Sequence, residues 1–568
     1  MRPRRLLETA PGLVPRSVTA RPPIPLASRS RAEHARAILT PPLLLLGPFF
    51  HQLRSHEYPL LRAEVLLVAA AAAIVGLLTG VAIDRARPAL RLPSIALLLA
   101  FVWDLYVFGG SFSRMAIVMI AMTVVVWVLR EHITTIAFAI SLPLLASTLL
   151  PPIRPVTAST RTWQTAPLDS GLPPIFHFVL DEHGGLAGLA EDAALVRDLT
   201  AWYEGRGFRL FPNAYSPYFD TYNALPNLLN FTSESKDGFY FHPSKGEPSA
   251  VHRNRYFERL RARGYDIRVY QSDYIDFCDA GTTSVRSCFT YPANSLTYAA
   301  GMDLPLSAHA RLLANYFLAN QSWLFGRLVA GYRLGIRPAL AALGMSPPPR
   351  DWRGDRVGPP AEAILARIEH DLSRGTSGTL FFAHLLMPHY PYQYDAQCRV
   401  NARGADRLER VSPNAPAGMD NTPASRARRL ELYGGQTRCL MRQLSTFFAT
   451  LDSLGVYSSA TIVLHGDHGP RIGLRRPQGR AAVARLTRQD VLDAYSTLLA
   501  VKTPGLVAGA DSTTIAIADA LSALVEGDFH SVDLPTDSLT APSAFAVITP
   551  GGRMMPIDYG SGPQRPDP

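Results

Sequence analysis

The residues best placed to do chemistry are a carboxylate and an imidazole side by side. In residues 461–469, TIVLHGDHG, an apolar run ends in His465, Gly466, Asp467, His468 and Gly469. Ile462, Val463 and Leu464 read as a buried strand of a parallel sheet. Open α/β sheets bind ligands beyond the carboxyl ends of their strands. Asp467 and His468, presented there by a turn of small residues, form half of a divalent-metal site. His465 lies two residues before the aspartate, on the strand, and reads as a supporting residue.

Three other stretches can complete the site. IFHFVL (175–180) reads as a strand that ends in Asp181 and Glu182, which repeats the logic of Asp467 and His468. Thr221 lies between an extended aromatic stretch and a helical pattern at 223–230. The positive end of a helix and a neighbouring divalent metal both favour the alkoxide of such a threonine, which can then attack an electrophile. Its ordinary alternative is a plain helix N-cap. In the segment FAHLLMPHYPY, His384 falls within a strand and reads as a core or supporting histidine. His389 falls just past the strand end, where it can touch a substrate oxyanion. His530 is the only histidine after His468, which favours one tightly held metal.

Positioning these residues takes more than one domain, and 568 residues allow it. Hydrophobic residues make up 47% of the chain and crowd into the first quarter. Apolar segments at about 36–53, 60–83, 92–109, 114–129 and 132–150 read as five membrane-spanning helices, each span needing roughly 20 residues. Residues 1–35 read as a basic, disordered cytoplasmic tail. The net charge of +10 sits largely there, since residues 1–36 hold eight Arg against Glu8 and Glu33. That placement argues against a nucleic-acid partner. Arg85, Arg87, Arg91 and Arg130 extend the basic bias on one side of the membrane, which makes that side cytoplasmic. Five spans then deliver everything after about residue 151 to the extracytoplasmic, periplasmic side of an inner membrane. All four cysteines lie in that part, as expected for disulfides in an oxidising compartment. Three pairings are open, with four buried free thiols as the alternative; sequential pairing, 278–288 and 398–439, closes the shortest loops and is the one expected.

A linker at 151–174 leads into a second domain at 175–550, followed by a disordered tail at 551–568. Strands are expected at 175–180, 267–270, 378–386, 461–465, 495–501 and 544–548. Helical patterns lie between them, notably at 361–374, 427–454 and 513–525. This alternation predicts a mostly parallel sheet covered by helices. Residues 304–345 form an amphipathic helical stretch, read either as a membrane-surface element or as an insertion packed on the sheet.

These features together resemble the alkaline phosphatase/sulfatase superfamily. They are a strand ending in an acidic residue, a Thr about 40 residues on at a helix start, H-x-x-x-x-H-x-P-Y at 384–392, and GDHG at 466–469. The membrane helices ahead of them resemble the lipoteichoic acid synthase and lipid A phosphoethanolamine transferase branch. The resemblance implies an α/β alkaline-phosphatase-like (sulfatase-like) domain behind the helical membrane domain. It implies one divalent metal held by Asp181 or Glu182, Thr221, Asp467 and His468, with Zn²⁺ or Mn²⁺ first and Ca²⁺ or Mg²⁺ as further candidates. Thr221 would be the nucleophile, and His389, with His384, would bind substrate. The implied reaction moves a phosphoethanolamine- or phosphoglycerol-type group from a phospholipid in the bilayer to an envelope glycan or lipid. The alternatives are hydrolysis at the same site (phosphodiesterase, phosphatase or sulfuric ester hydrolase) and a non-catalytic membrane-anchored binding protein. True sulfatases need C/S-x-P-x-R for their nucleophile. Only Ser346–Arg350 fits that pattern, in a proline-rich loop well past the acidic pair, where it reads as a chance match.

Overall fold

The computed structural model describes residues 30–526, except 107–110, 149, 151–155, 164–170, 232–249, 252, 279–284, 321, 337–338, 341–342, 344–357, 401–421 and 478–484, together with the strands at 544–548 and 554–558. Residues 1–29, most of the expected C-terminal tail and the Ser346–Arg350 match lie outside the described residues; where the two expected disordered tails are described they are ordered, 31–35 as helix and 554–558 as strand.

The five apolar segments are helices: α1 (Arg31–Ser55), α2 (Ala63–Arg85), α3 (Pro88–Tyr106), α4 (Phe112–Val128) and α5 (Ile133–Ser147). They mark a membrane protein, but length and composition do not make five spans of them. Residues 63–85 and 89–106 are long and apolar enough to cross a bilayer. The α4–α5 pair, bent by 120° at its break, adds at most a third span. The reasons are local. Helix α1 contains Pro41, Pro42 and Pro48, while α4 and α5 have only 17 and 15 residues.

The chain continues through β1 (Ser159–Thr162), β2 (Ile175–Leu180), α6 (Ala193–Glu204), β3 (Arg209–Leu210), β4 (Asn213–Tyr215), α7 (Thr221–Leu228) and α8 (Arg255–Ala262). Next come β5 (Asp266–Ser272), β6 (Val285–Tyr291), α9 (Leu296–Ala300), α10 (Leu306–Asn315), α11 (Trp323–Gly331), α12 (Ala361–Leu372), β7 (Thr379–Leu385) and α13 (Pro423–Ser453). The last elements are β8 (Thr461–His465), α14 (Arg488–Tyr495), β9 (Leu499–Lys502), β10 (Gly509–Ala510), β11 (Thr514–Ala516), α15 (Ile517–Glu526), β12 (Ala544–Ile548) and β13 (Met554–Asp558).

Nine strands form one sheet in the order β1-β6-β5-β7-β2-β8-β9-β3-β10. Its centre, β6-β5-β7-β2-β8, is parallel throughout. Strands β2, β7 and β8 are buried at every position, because helices cover both faces. This is why they read as unbroken apolar runs. Two expectations shift. The strand expected at 495–501 starts at Leu499, since Tyr495 still belongs to α14. Residues 544–548 pair only with β13, in a ribbon separate from the sheet.

The stretch expected to lie on the membrane surface or on the sheet packs instead against the membrane helices. Leu312, Leu313, Tyr316 and Phe317 share a core with Leu44, Phe49, Val65 and Val102. Asp104 in α3 is 1% exposed and accepts hydrogen bonds from the Ser322 hydroxyl (2.7 Å) and the Leu324 N–H (2.9 Å). An acidic side chain in an apolar helix thus meets the positive end of α11.

Both expected disulfides are present, Cys278–Cys288 and Cys398–Cys439. The second ties the segment after β7 to α13 across a separation of 41 residues. Loop-closure entropy assigns such a link about 4 kcal/mol. Replacing both Cys398 and Cys439 by Ala is expected to lower the unfolding free energy by about that amount. Calorimetry or intrinsic fluorescence should show the loss, and an unchanged melting midpoint would refute it.

Candidate active site

The site forms where β7, β2 and β8 end side by side. Val179 of β2 lies opposite His384 of β7 on one flank and His465 of β8 on the other. The next residues out are therefore Asp181 and Glu182 in the centre, with the Gly466–Asp467–His468 turn beside them. Side chains of consecutive residues normally point apart. Glu182 escapes that rule by adopting a left-handed backbone, φ +61°. For a non-glycine residue this stores roughly 1–3 kcal/mol of strain, the kind that collects at functional sites. Asp181, Glu182 and His468 each present a ligand atom within 4.8 Å of the others, and all three are buried.

The glycines of GDHG are there for close approach. A Cβ on Gly466 would lie 2.2 Å from Thr497 Oγ1 and 2.3 Å from the His183 carbonyl oxygen. One on Gly469 would lie 2.3 Å from the Asp493 carbonyl oxygen. Between them Asp467 is held by Glu182, whose N–H donates to Asp467 Oδ1 at 3.0 Å.

Thr221 is the first residue of α7. Its N-cap is Asp220, which accepts from the Asn223 N–H at 3.1 Å and from the Asn223 side chain at 2.9 and 3.0 Å. The capping task is thereby filled, and the plain N-cap reading of Thr221 is set aside. Thr221 is fully buried, with Oγ1 3.5 Å from His468 Nε2. The Nδ1–H of His468 donates to the Gly469 carbonyl at 2.8 Å, which turns the Nε2 lone pair toward Thr221 and Asp467 Oδ2 (3.4 Å). Burial pushes the His468 pKa down to about 4, so the ring is neutral at pH 7, as a metal ligand must be. Burial raises Asp467, opposed by the charge of His384 and by hydrogen bonds from the Glu182 N–H and Thr221.

His384 Nε2 lies 3.2 Å from Asp181 Oδ2, and burial lowers the pKa of this histidine to about 4. His389 Nε2 lies 3.2 Å from Glu182 Oε1. With Asp181, Tyr222 and Tyr274, His389 lines a cavity of about 280 Å³. Asp181, Glu182, Thr221, His384, His389, Asp467 and His468 therefore meet in one place. His465 stays behind them, donating from Nδ1 to the Gly466 carbonyl at 2.7 Å and packing on His177.

A buried group of carboxylate oxygens, a neutral imidazole and a hydroxyl is the donor set of a divalent cation. Asp467 Oδ2 and both nitrogens of His384 are buried without a hydrogen-bond partner among the described residues. Buried polar atoms are seldom left so, and a bound cation at this point would satisfy the carboxylate. The residues present fit such an ion. The other close grouping, Asp276 with Cys278 and Cys288, does not, because its sulfurs are joined in a disulfide.

Sequence reasoning missed Arg471. Its Nε lies 2.7 Å from Glu182 Oε1, an ionic contact off the line of a hydrogen bond, and its side chain is 11% exposed. Burial works against its charge, yet Glu182, backed by Tyr274, Asp181 and Asp220, drives its pKa above the usual arginine value. Glu182 also accepts from the Tyr390 N–H at 3.1 Å. The only sequence signal was proximity to GDHG, masked in a chain where Arg is common. Arg471→Gln leaves a buried carboxylate without its cation and should cost about 3–5 kcal/mol of stability. Adding Glu182→Gln to that variant should restore much of the loss. Thermal unfolding of the single and double variants checks this, and a fully stable Arg471→Gln protein would refute it.

The Sulfatase family model matches residues 197–492. Among solved structures, the chain is similar to the C-terminal periplasmic domain of EcEptC from Escherichia coli in complex with Zn. The identity is 13% and the TM-score 0.39, covering 72% of this chain and 97% of that one. It is similar to the phosphonate monoester hydrolase of Agrobacterium radiobacter at 13% identity and TM-score 0.37, over 62% and 73% of the two chains. It is also similar to the lipoteichoic acid synthase LtaP from Listeria monocytogenes at 10% identity and TM-score 0.31, over 64% and 74%. No curated protein matches the chain.

Proposed function

Since the chain belongs to the sulfatase family, within the alkaline phosphatase/sulfatase superfamily, we propose that it is a membrane-bound, metal-dependent phosphotransferase with Thr221 as nucleophile. The observation that carries this reading is the Thr221 hydroxyl, buried and 3.5 Å from His468 Nε2, at a centre of two adjacent carboxylates. The nucleophile being a threonine supports phosphoryl over sulfuryl transfer.

Asp181, Glu182, Thr221, Asp467 and His468 would hold the ion, Zn²⁺ or Mn²⁺ by donor type. When bound, it lowers the pKa of the Thr221 hydroxyl and offsets charge on phosphoryl oxygens. Thr221 Oγ then forms a bond to phosphorus, its proton passing to solvent through the cavity. The ester bond to the donor's diacylglycerol oxygen breaks, and that oxygen leaves with a proton. His389, on the cavity wall, would bind a substrate oxygen. In the second half, an acceptor hydroxyl displaces Thr221 from phosphorus and the free threonine is regenerated. Arg471 stays paired with Glu182.

A lipid donor is supported by the short path along the chain from the cavity wall to contacts with the apolar helical region. Ala293 lines the cavity, and the chain runs from it directly into α9. There Thr297 donates to the His56 carbonyl, and Arg62 Nη1 donates to the Ala300 carbonyl at 2.9 Å. The donor would be a phospholipid with a phosphoethanolamine- or phosphoglycerol-type headgroup, and the acceptor a glycan or lipid of the envelope. The arginine bias and the two disulfides support an extracytoplasmic catalytic domain on a multi-pass inner-membrane anchor.

Thr221→Ala is expected to abolish turnover while the protein keeps its fold and its metal, measured by elemental analysis. An active variant would sink the assignment. Chelation should remove the activity of the native protein, and Zn²⁺ or Mn²⁺ should restore it. Mass spectrometry of Thr221 after exposure to native membranes should find a phosphodiester adduct whose mass names the group. A bare phosphate there would point to a phosphatase. No adduct, no bound metal and no release of p-nitrophenol from its phosphate would point to a non-catalytic binding protein.

A further inference from the structure

A second cavity, of about 320 Å³, opens at the β1 edge of the sheet and shares no lining residue with the first. Its walls come from β1, β6, β5 and the end of α12. Four guanidiniums face it, those of Arg268, Arg286, Arg367 and Arg374, against one lining carboxylate, Asp371.

That carboxylate is already engaged by the groups around it. Asp371 Oδ2 receives the Tyr270 hydroxyl at 3.0 Å and Arg367 Nε at 3.1 Å, and Oδ1 lies 3.2 Å from Arg374 Nη1. Arg286 pairs with Asp266 at 2.8 Å, but Asp266 is shared with Arg261 at 2.5 Å. Among the described residues Arg268 has one hydrogen bond, to the backbone oxygen of Asp371 at 2.9 Å. The cavity is therefore strongly electropositive. A guanidinium carries five N–H donors, and among the described residues each of these four uses only a small part of them.

The donors are also fixed in place. Arg268 lies over the Phe381 ring at 5.5 Å and Arg367 over the Phe289 ring at 5.0 Å. Stacking holds the guanidinium plane and leaves its edge free for a tetrahedral oxyanion, which arginine meets with paired hydrogen bonds. Thr160, Thr162 and Ser287 add hydroxyls, and Trp163 adds an aromatic face. The volume exceeds that of a bare phosphate and falls in the range of small-molecule sites.

We propose that this cavity is a second binding site, for a phosphate-bearing ligand of sugar or headgroup size, separate from the reaction centre at Thr221. It is independent of the bound metal and of the reaction assigned to that centre.

The test is calorimetric titration of the full-length, metal-stripped protein in nanodiscs with inorganic pyrophosphate. One saturable site is expected, weakened by salt. Arg374→Gln, at a residue whose side chain is 62% exposed, should weaken binding about tenfold. Arg268→Gln together with Arg374→Gln should weaken it about a hundredfold. His389→Ala, in the other cavity, should leave it unchanged. Absence of binding, native affinity in the double variant, or loss of binding in His389→Ala would each overturn the proposal. Competition by glucose 1-phosphate assigns the site to free or glycan-borne phosphates. Competition only by phosphatidylglycerol vesicles assigns it to a lipid headgroup. Competition by neither overturns the ligand class.

Discussion

Two adjacent carboxylates buried at the end of a central strand must be compensated or neutralised, and most of the site answers that demand. Glu182 is met by Arg471, His389 and the Tyr390 N–H. Asp181 is met by His384, and its remaining demand falls on the centre shared with Asp467, His468 and Thr221. A single divalent ion at that centre would complete the compensation. The division explains why the site holds a fixed arginine as well as a metal-type donor set. The arginine supports the pair permanently, and such an ion would be available for chemistry.

The surrounding elements serve that arrangement. Glu182 carries the backbone strain that turns both carboxylates inward. Asp220 takes the capping role on α7 and leaves the Thr221 hydroxyl for the site. Gln436 of α13 accepts from the Gln393 and Tyr394 N–H groups at 2.6 and 3.2 Å and donates to the His389 carbonyl at 2.9 Å. Together with the Cys398–Cys439 bond, it fixes the segment that carries His389. A cavity wall built this firmly keeps its polar groups in place before any substrate arrives, which is what preorganised catalysis requires.

The membrane half is joined to the catalytic half by polar contacts within an apolar setting. Asp104 holds the start of α11, and His56 meets Ser295 at 3.1 Å. Isolated charges in membrane helices usually mark transport paths or structural pins. Here the partner is the N-terminus of α11, far along the chain, so the pin reading applies.

The sequence by itself determined the central strands and the order of the motifs, while the disulfide pairing, expected from the shortest loops among three possibilities, was decided by the fold. Strands β2, β7 and β8 were legible because double-sided burial makes a strand uniformly apolar. Asp181, Thr221, His389, Asp467 and His468 were legible because each sits at a strand end or a helix start, positions that turn residues and apolar runs mark locally. Strands β1, β3 and β6 were not legible. They are short or rich in Ser, Thr and Arg, and their pairing depends on distant partners. The number of membrane spans also escaped, because hydropathy counts apolar residues but does not register the bend between α4 and α5. Arg471, the Asp220 cap, the strain at Glu182 and the arginine cavity on the sheet edge were decided only by the tertiary structure. Each depends on which groups share a buried space, and electrostatic compensation acts through distance in that space and not along the chain.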